Sequence, residues 1–209
     1  MTSGTPHAGR SWDAGALAVT PYPIELDGRF DPTPSRWLWL VKWLLAVPHY
    51  VVLAFLWVSV ILTTLVAFFA LLFTKRYPRA LFDYNAGVLR WTWRVTFYVL
   101  PVGTTEYPRF ALKAQPGDPG VLAVEYPEDM SRWLVLVKWL FAIPQFIVAH
   151  ILRGLAVVLA IIGGFILLFT GRNPRDIFDI VVGASRWSFR VTAYALLMRD
   201  EYPPFRFTP

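Results

Sequence analysis

The sequence predicts an all-α integral membrane protein made of two tandem homologous units. The chain has 209 residues, of which 56% are hydrophobic and 16% are charged, whereas about 25% of residues are charged in soluble domains. Two apolar tracts, Trp37 to Phe73 and Trp133 to Phe169, exceed the roughly 20 residues that cross a bilayer. Residues 35–100 recur without a gap at residues 131–196, with 31 of the 66 aligned positions identical. A repeat of this kind constrains the fold before any local pattern is considered.

The repeat divides the chain into four parts. Residues 1–18 are predicted to be a disordered tail, because they contain no apolar core of signal-peptide length. Residues 19–112 form the first unit, residues 113–120 (KAQPGDPG) a turn-rich linker, and residues 121–209 the second unit. The formal net charge of +6 indicates cytoplasmic flanks facing anionic headgroups rather than a nucleic-acid partner.

Each unit is predicted to open and close with a short extramembrane segment of strand-like composition. The opening segments are VTPYPIELDGRF and VLAVEYPEDM, and the closing segments are EYPRFAL from Glu106 and EYPPFRF from Glu201. Tyr, Val and Ile between turn-forming residues are typical of short strands.

A Trp-rich segment follows each opening strand and is predicted to end at Pro48 or Pro144, because proline kinks or ends the preceding helix. Tryptophan combined with Lys or Arg is typical of a bilayer interface. The predicted interface anchors are Arg36, Trp37, Lys42 and Trp43 in the first unit and Arg132, Trp133, Lys138 and Trp139 in the second. The apolar residues after each proline, 49–73 and 145–169, are long enough to span the bilayer.

A basic turn then leads into an amphipathic helix that bears arginines, predicted over residues 80–100 and 176–196. Both helices carry Asp, Gly, Arg, Arg and Tyr at i, i+4, i+7, i+11 and i+15, which is one stripe of an α-helix. The lipid- or partner-binding candidates in this stripe are Asp83, Arg90, Arg94 and Tyr98, and Asp179, Arg186, Arg190 and Tyr194. Two interpretations are open. The stripe is either a structural face whose arginines pair or snorkel, or a recess for anionic headgroups or a partner.

The repeat also constrains the topology. Both units carry the same charges at the same places, so both are expected to face the same way and to cross the membrane an even number of times. In one arrangement the apolar helix spans and the arginine helix returns, giving four crossings. In the other, the apolar tract is a hairpin that turns near Trp57 or Arg153-Gly154, and the arginine helix lies on the surface.

No catalytic residue, metal ligand or cofactor is predicted. The chain contains no HExxH, Walker-type or G-x-S-x-G motif, and its three histidines have no counterparts across the repeat. The absence of cysteine excludes disulfides and thiolate metal sites.

The turn from Leu168 to Pro174 (LFTG-x-x-P), the arginine helix after it and the closing Tyr202 to Phe205 resemble a family of bacterial membrane proteins known only as a domain of unknown function. The tandem form with SRWLWLVKWLLAVPHY resembles its actinobacterial branch. The first unit departs from the turn pattern, with Lys75 in place of glycine. The resemblance implies a plasma-membrane location and no catalytic activity.

These observations favour a non-enzymatic, multi-pass protein of the bacterial plasma (inner) membrane. It is expected to act as a structural or accessory component that engages anionic lipid headgroups or a membrane-protein partner, a second copy included. One alternative is a small transporter or channel framed by the two repeats. Another is a membrane-shaping hairpin protein.

Overall fold

The computed structural model describes residues 23–127 and 130–203. Its elements are β1 (Ile24–Gly28), α1 (Trp39–Leu45), α2 (Val47–Thr74), α3 (Arg79–Val99), β2 (Gly120–Val124), α4 (Arg132–Thr170) and α5 (Arg175–Ala195). The mostly helical fold and its tandem arrangement confirm the coarse prediction, and the opening segments form strands as expected. The predicted tail, residues 1–18, lies outside the described residues.

The two opening strands pair with each other in antiparallel register. Leu26 lies opposite Leu122, its own repeat equivalent, and the ladder extends equally to both sides of this pair. Such a self-complementary arrangement is the signature of twofold symmetry, as in an isologous dimer. The two units are therefore related by a pseudo-twofold axis that passes between Leu26 and Leu122.

The axis continues into an aromatic core between α3 and α5. Trp93 and Phe189 are repeat equivalents, and their ring centroids lie 5.7 Å apart in an edge-on contact. Both side chains are buried. Edge-to-face aromatic pairs at this distance add about 0.5–1.5 kcal/mol beyond the area they bury, so the centre of the molecule is a packed core.

Each unit also packs its opening segment on the helix of the other unit. Phe30, after β1, contacts Phe178 of α5 at 5.1 Å, and Tyr126, after β2, contacts Phe82 of α3 at 5.0 Å. Because these contacts are reciprocal, neither unit completes its core alone.

The two apolar helices form an outer layer and run antiparallel. Trp39 of α1 contacts Phe165 of α4 at 5.7 Å, whereas Phe68 of α2 stacks on Trp139 of α4 at 5.4 Å. Residue numbers thus rise along α1 and α2 while they fall along α4. The four-crossing arrangement with equally oriented units requires α2 and α4 to be parallel, so that prediction is wrong.

The hairpin arrangement is wrong as well. The helix α2 continues through Trp57, and α4 continues through Pro144, Arg153 and Gly154 without a turn. Pro48 lies in the first turn of α2, where its missing N–H costs nothing. Pro144 lies inside α4 and does not divide it, contrary to the prediction; Ala142 and Gln145, within two residues of it, are buried.

The closing segment of the first unit is irregular rather than a strand. Residues 106–112 form no sheet pairing within the described part of the chain. Two arginines of α3 explain this, because Arg94 donates to the carbonyl of Ala111 and Arg90 to the carbonyl of Leu112. These carbonyls are therefore satisfied by side chains, and Pro108 has no N–H to give a neighbouring strand. In the second unit, residues beyond 203 lie outside the described range.

Candidate functional site

The first arginine of the stripe ties each unit to the strand of the other. Arg90 Nε donates to the carbonyl of Leu122 at 3.1 Å, and Arg186 Nε donates to the carbonyl of Leu26 at 2.8 Å. Asp27 adds a carboxylate 3.7 Å from Arg186. The two acceptors are the paired residues at the centre of the sheet, and a two-stranded sheet leaves backbone groups on its outer edges to be satisfied. The arginines supply those partners across the pseudo-twofold axis.

The second arginine of the stripe is internal. The Arg94 side chain is 2% exposed and lies 3.4 Å from the buried carboxylate of Asp118, in the linker. Burial lowers the pKa of Arg94, and the charge of Asp118 opposes that shift. Its repeat equivalent Arg190 is 1% exposed. Both arginines therefore lie in the interior of the described structure, and headgroup binding by the stripe stays a prediction.

Gly87, the glycine of the stripe in the first unit, lets the closing segment pack directly against the backbone of α3. A Cβ placed on Gly87 would lie 2.9 Å from Cβ of Leu112 and 3.1 Å from its carbonyl oxygen. This close approach brings the Leu112 carbonyl within reach of Arg90, one turn further along α3. Glycine at this position is therefore explained by backbone proximity.

The acidic residues of the stripe are on the surface. Asp83 and Asp179 have side chains that are 63% and 58% exposed. They face Arg79 and Arg175, one turn earlier in the same helices, at 3.8 and 3.7 Å. Exposed pairs at i, i+4 contribute only a few tenths of a kcal/mol, so they differ from the buried arginines of the same stripe.

The tyrosines of the stripe lie beneath two buried lysines. Lys42 Nζ is 5.6 Å from the ring centre of Tyr98, and Lys138 Nζ is 5.6 Å from that of Tyr194. Both lysines are no more than 1% exposed. Lys42 Nζ donates to the carbonyl of Thr104 at 2.7 Å, and Lys138 Nζ donates to the carbonyl of Arg199 at 2.7 Å. Lys42 and Lys138 were predicted to be interface anchors that point outward. In the structure their ammonium groups instead donate to backbone carbonyls after α3 and α5.

The remaining predicted anchors lie on the surface. Trp37, Trp43, Trp133 and Trp139 are 45–77% exposed, and Arg36 and Arg132 are exposed too. Their role at a membrane interface remains a prediction.

The burial of Lys42 predicts a pH dependence of stability. Burial lowers the pKa of Lys42 from 10.5 to about 8, although Asp31 opposes the shift. Between these values the unfolded chain binds the proton and the native chain does not, so stability rises with pH. We expect the melting temperature in detergent to rise from about pH 8 to about pH 9.5, and less so in Lys42→Met. The exposed Lys113→Met serves as control, and an equal rise in both variants would contradict the assignment.

The outer surface of the apolar layer is exposed along its whole length. Among the described residues, nearly all exposed large hydrophobic side chains belong to α1, α2 and α4. By length and composition, α2 and α4 could each cross a membrane, and only 22% and 28% of their apolar windows are buried. Core helices of soluble proteins are mostly buried, so these helices present an apolar face to their surroundings.

Basic side chains collect at the ends of this layer. At one end the guanidinium group of Arg36 lies against Gly171, in the turn that carries Arg172. Asn173 of that turn donates backbone and side-chain N–H groups to the carbonyls of Pro32 and Asp31. The pseudo-twofold axis places Arg132 with the turn that carries Lys75 and Arg76 at the other end. We call these two groups the basic ends.

The described residues offer little for other chemistry. In residues 23–127 and 130–203, no group of three or more His, Asp or Glu side chains is arranged to hold a metal ion. His49 accepts a hydrogen bond from the indole of Trp91 at 3.1 Å and stacks on Phe110.

Sequence reasoning identified the stripe but not its partners. The arginine partners lie in the opposite unit, in the linker or in the closing segment of the same unit, and residue spacing carries no information about these contacts. The matched lengths of β1 and β2 around repeat-equivalent leucines are the one signal that could have indicated the pairing.

The comparisons with known proteins agree with the repeat. A family model described as Domain of unknown function (DUF4389) matches the chain twice, over residues 36–111 and residues 132–206. No curated protein and no solved structure matches the chain. The double match confirms the tandem organisation and the resemblance found in the sequence.

Proposed function

The chain belongs to the DUF4389 family, and from that premise we propose that it is a non-enzymatic accessory protein of the bacterial plasma membrane. In this proposal α1, α2 and α4 lie within one leaflet, and the basic ends engage anionic lipid headgroups. The observation that carries the proposal is the long, exposed and predominantly apolar face of these helices.

The length of that face favours helices that lie along the membrane. Trp133 and Phe169 are 77% and 80% exposed at the two ends of α4, and the 36 helical steps from one to the other correspond to about 54 Å. A hydrocarbon core of about 30 Å would require a tilt of roughly 56°, beyond the usual range of about 0–40°. A helix that lies in the leaflet buries its whole apolar face.

The symmetry supports the same orientation. If the antiparallel α2 and α4 crossed upright, the basic ends would lie on opposite sides of the membrane, against the tendency of basic residues to remain cytoplasmic. The pseudo-twofold axis along the membrane normal instead places both ends at one surface. It also places the sheet and the linker on the water side, where irregular backbone can be solvated.

The basic ends supply the attraction to lipid. Arg36, Lys75, Arg76, Arg132 and Arg172 are exposed, and none forms an ion pair with another described residue. Each Lys or Arg near an anionic surface contributes about 1 kcal/mol. In this proposal the basic ends take the headgroup-binding role predicted for the stripe, because Arg94, Arg186 and Arg190 are buried and Arg90 is half-buried.

A flotation experiment tests this proposal. The parent protein is expected to float with vesicles of phosphatidylcholine and phosphatidylglycerol and to resist extraction by carbonate. The variant Lys75→Glu, Arg76→Glu, Arg172→Glu should lose its preference for phosphatidylglycerol-rich vesicles, by at least about tenfold in affinity. A triple change of the same charge at exposed residues outside the basic ends, Lys113→Glu, Arg29→Glu and Arg109→Glu, should retain it; Arg29→Glu also removes an exposed ion pair with Glu106. Equal losses in both variants would contradict the assignment to the basic ends.

Membrane shaping is a second candidate. Helices inserted into one leaflet widen that leaflet relative to the other, and the antiparallel pair forms a wedge about 54 Å long. If this function holds, the purified protein should tubulate or vesiculate liposomes that it binds. The transporter alternative has less support, because the axis between the units is filled by Trp93 and Phe189.

A further inference from the structure

A cavity of about 580 Å³ opens on the apolar face, between α1 and the middle of α4. Its rim includes Leu40, Trp43 and Ile161, each more than 40% exposed. Its floor contains Ser185 and Ser188 of α5. The volume lies in the range of about 300–1,000 Å³ that is typical of small-molecule sites.

One charged residue faces this apolar cavity. Arg153 lines it and is exposed, although it shares a helical face with the buried Ala142, Ala149 and Ala160. A residue on the packed face of α4 is exposed here because the cavity adjoins it. Arginine in an apolar setting is costly unless it is paired, and it marks a functional site by default.

Comparison of the two units shows which side chains leave this space open in the second unit. The equivalent of Arg153 in the first unit is Trp57, whose indole donates to the hydroxyl of Thr92 at 3.2 Å and packs against the core. The equivalent of Thr92 is Ser188, and the equivalent of Leu89 is Ser185. The second unit therefore has a cation and two small hydroxyl residues where the first has an indole, a threonine and a leucine. These three smaller or more polar side chains of the second unit line the cavity.

We propose that this cavity binds an anionic phospholipid, with one acyl chain along the apolar walls and the phosphate on Arg153. The mouth on the apolar face admits a lipid laterally, and the guanidinium group matches phosphate oxygens in charge and in fork geometry. The serine hydroxyls donate to the carbonyls of Val181 and Ala184 within α5, so Arg153 is the group that donates to the phosphate, and the serine lone pairs can accept only from headgroup hydroxyls. The inference rests on the proposed membrane embedding, because only an embedded mouth meets lipid.

The repeat itself suggests the test. Arg153→Trp restores the side chain that fills the equivalent space in the first unit. Parent and variant are reconstituted with equal amounts of phosphatidylglycerol and phosphatidylcholine and extracted in mild detergent, and the retained lipid is counted by mass spectrometry. The parent should retain about one phosphatidylglycerol per chain, and Arg153→Trp at least about tenfold less. Arg153→Gln, which keeps the space without the charge, should lose the preference for phosphatidylglycerol.

Gly154→Ala is the matched control, because a Cβ at Gly154 meets nothing within 4 Å; it should retain lipid like the parent. Flotation is measured for every variant, so a parent that floats but retains no phosphatidylglycerol overturns the cavity assignment and leaves the embedding intact. Equal retention by the parent and a folded Arg153→Trp also overturns it, as does retention of free fatty acid alone.

Discussion

Cysteines introduced at Thr74 and Thr170 should react with a membrane-impermeant maleimide from the same side of the membrane. These residues are repeat equivalents, both exposed, at the C-terminal ends of α2 and α4. Because the two helices are antiparallel, upright crossing places the two sites on opposite sides. Helices that lie in one leaflet place both at a single surface. Labelling is measured in sealed right-side-out and in sealed inside-out vesicles. If the helices lie in one leaflet, both cysteines react in the same type of vesicle, and if they cross upright, each reacts in a different type.

The chain lacks cysteine, so each variant carries one label site. Ala114→Cys, exposed in the linker, should be labelled from the same side as Thr74→Cys. Val58→Cys, which is 59% exposed on the apolar face, should react only after detergent replaces the lipid. Labelling of Thr74→Cys and Thr170→Cys from opposite sides would contradict the in-leaflet orientation, and labelling of Val58→Cys in intact vesicles would contradict the embedding.

The sequence predicted those features that depend on one segment at a time. The apolar tracts, the stripe and the opening strands follow from composition and from the 3.6-residue and two-residue periods. The bounds of α3 and α5 fall within one residue of the predicted helices, because Pro78 and Pro174 directly precede them and mark where they start. Periodicity identified which face of these helices was special.

Relations between segments were beyond the sequence. The two units carry equal charges, which predicted that both face the same side of the membrane through an even number of crossings. Both units also face the same side if they are related by a twofold axis along the membrane normal and their apolar helices lie in one leaflet. The antiparallel contacts of Trp39 with Phe165 and of Phe68 with Trp139 exclude parallel helices, and the labelling experiment decides between antiparallel crossing and helices in one leaflet. Likewise, neither Leu122 nor Asp118 could be recognised as an arginine partner from its spacing.

Arg94→Met should destabilise the protein strongly. The substitution removes the partner of Asp118, whose side chain is 9% exposed, and leaves the carbonyl of Ala111 without its donor. Removing one member of a buried ion pair costs about 3–5 kcal/mol. For a chain of this size each kcal/mol corresponds to roughly 2–4 °C, so the melting temperature in detergent should fall by about 10 °C. Asp83→Asn, at the exposed end of the same stripe, should change it by no more than about 2 °C.

The double variant Arg94→Met, Asp118→Leu distinguishes the two interpretations of the stripe. If the arginine is structural, replacing both charges should recover part of the lost stability, because an apolar pair avoids the cost of a lone buried charge. Recovery should be incomplete, since the Ala111 carbonyl still lacks its donor. If the arginine binds headgroups instead, Arg94→Met should melt like the parent while it loses affinity for phosphatidylglycerol vesicles, and Asp118→Leu should restore nothing. The buried position of Arg94 favours the first outcome, in which the arginines of the stripe hold the strands, the linker and the closing segment on the helices.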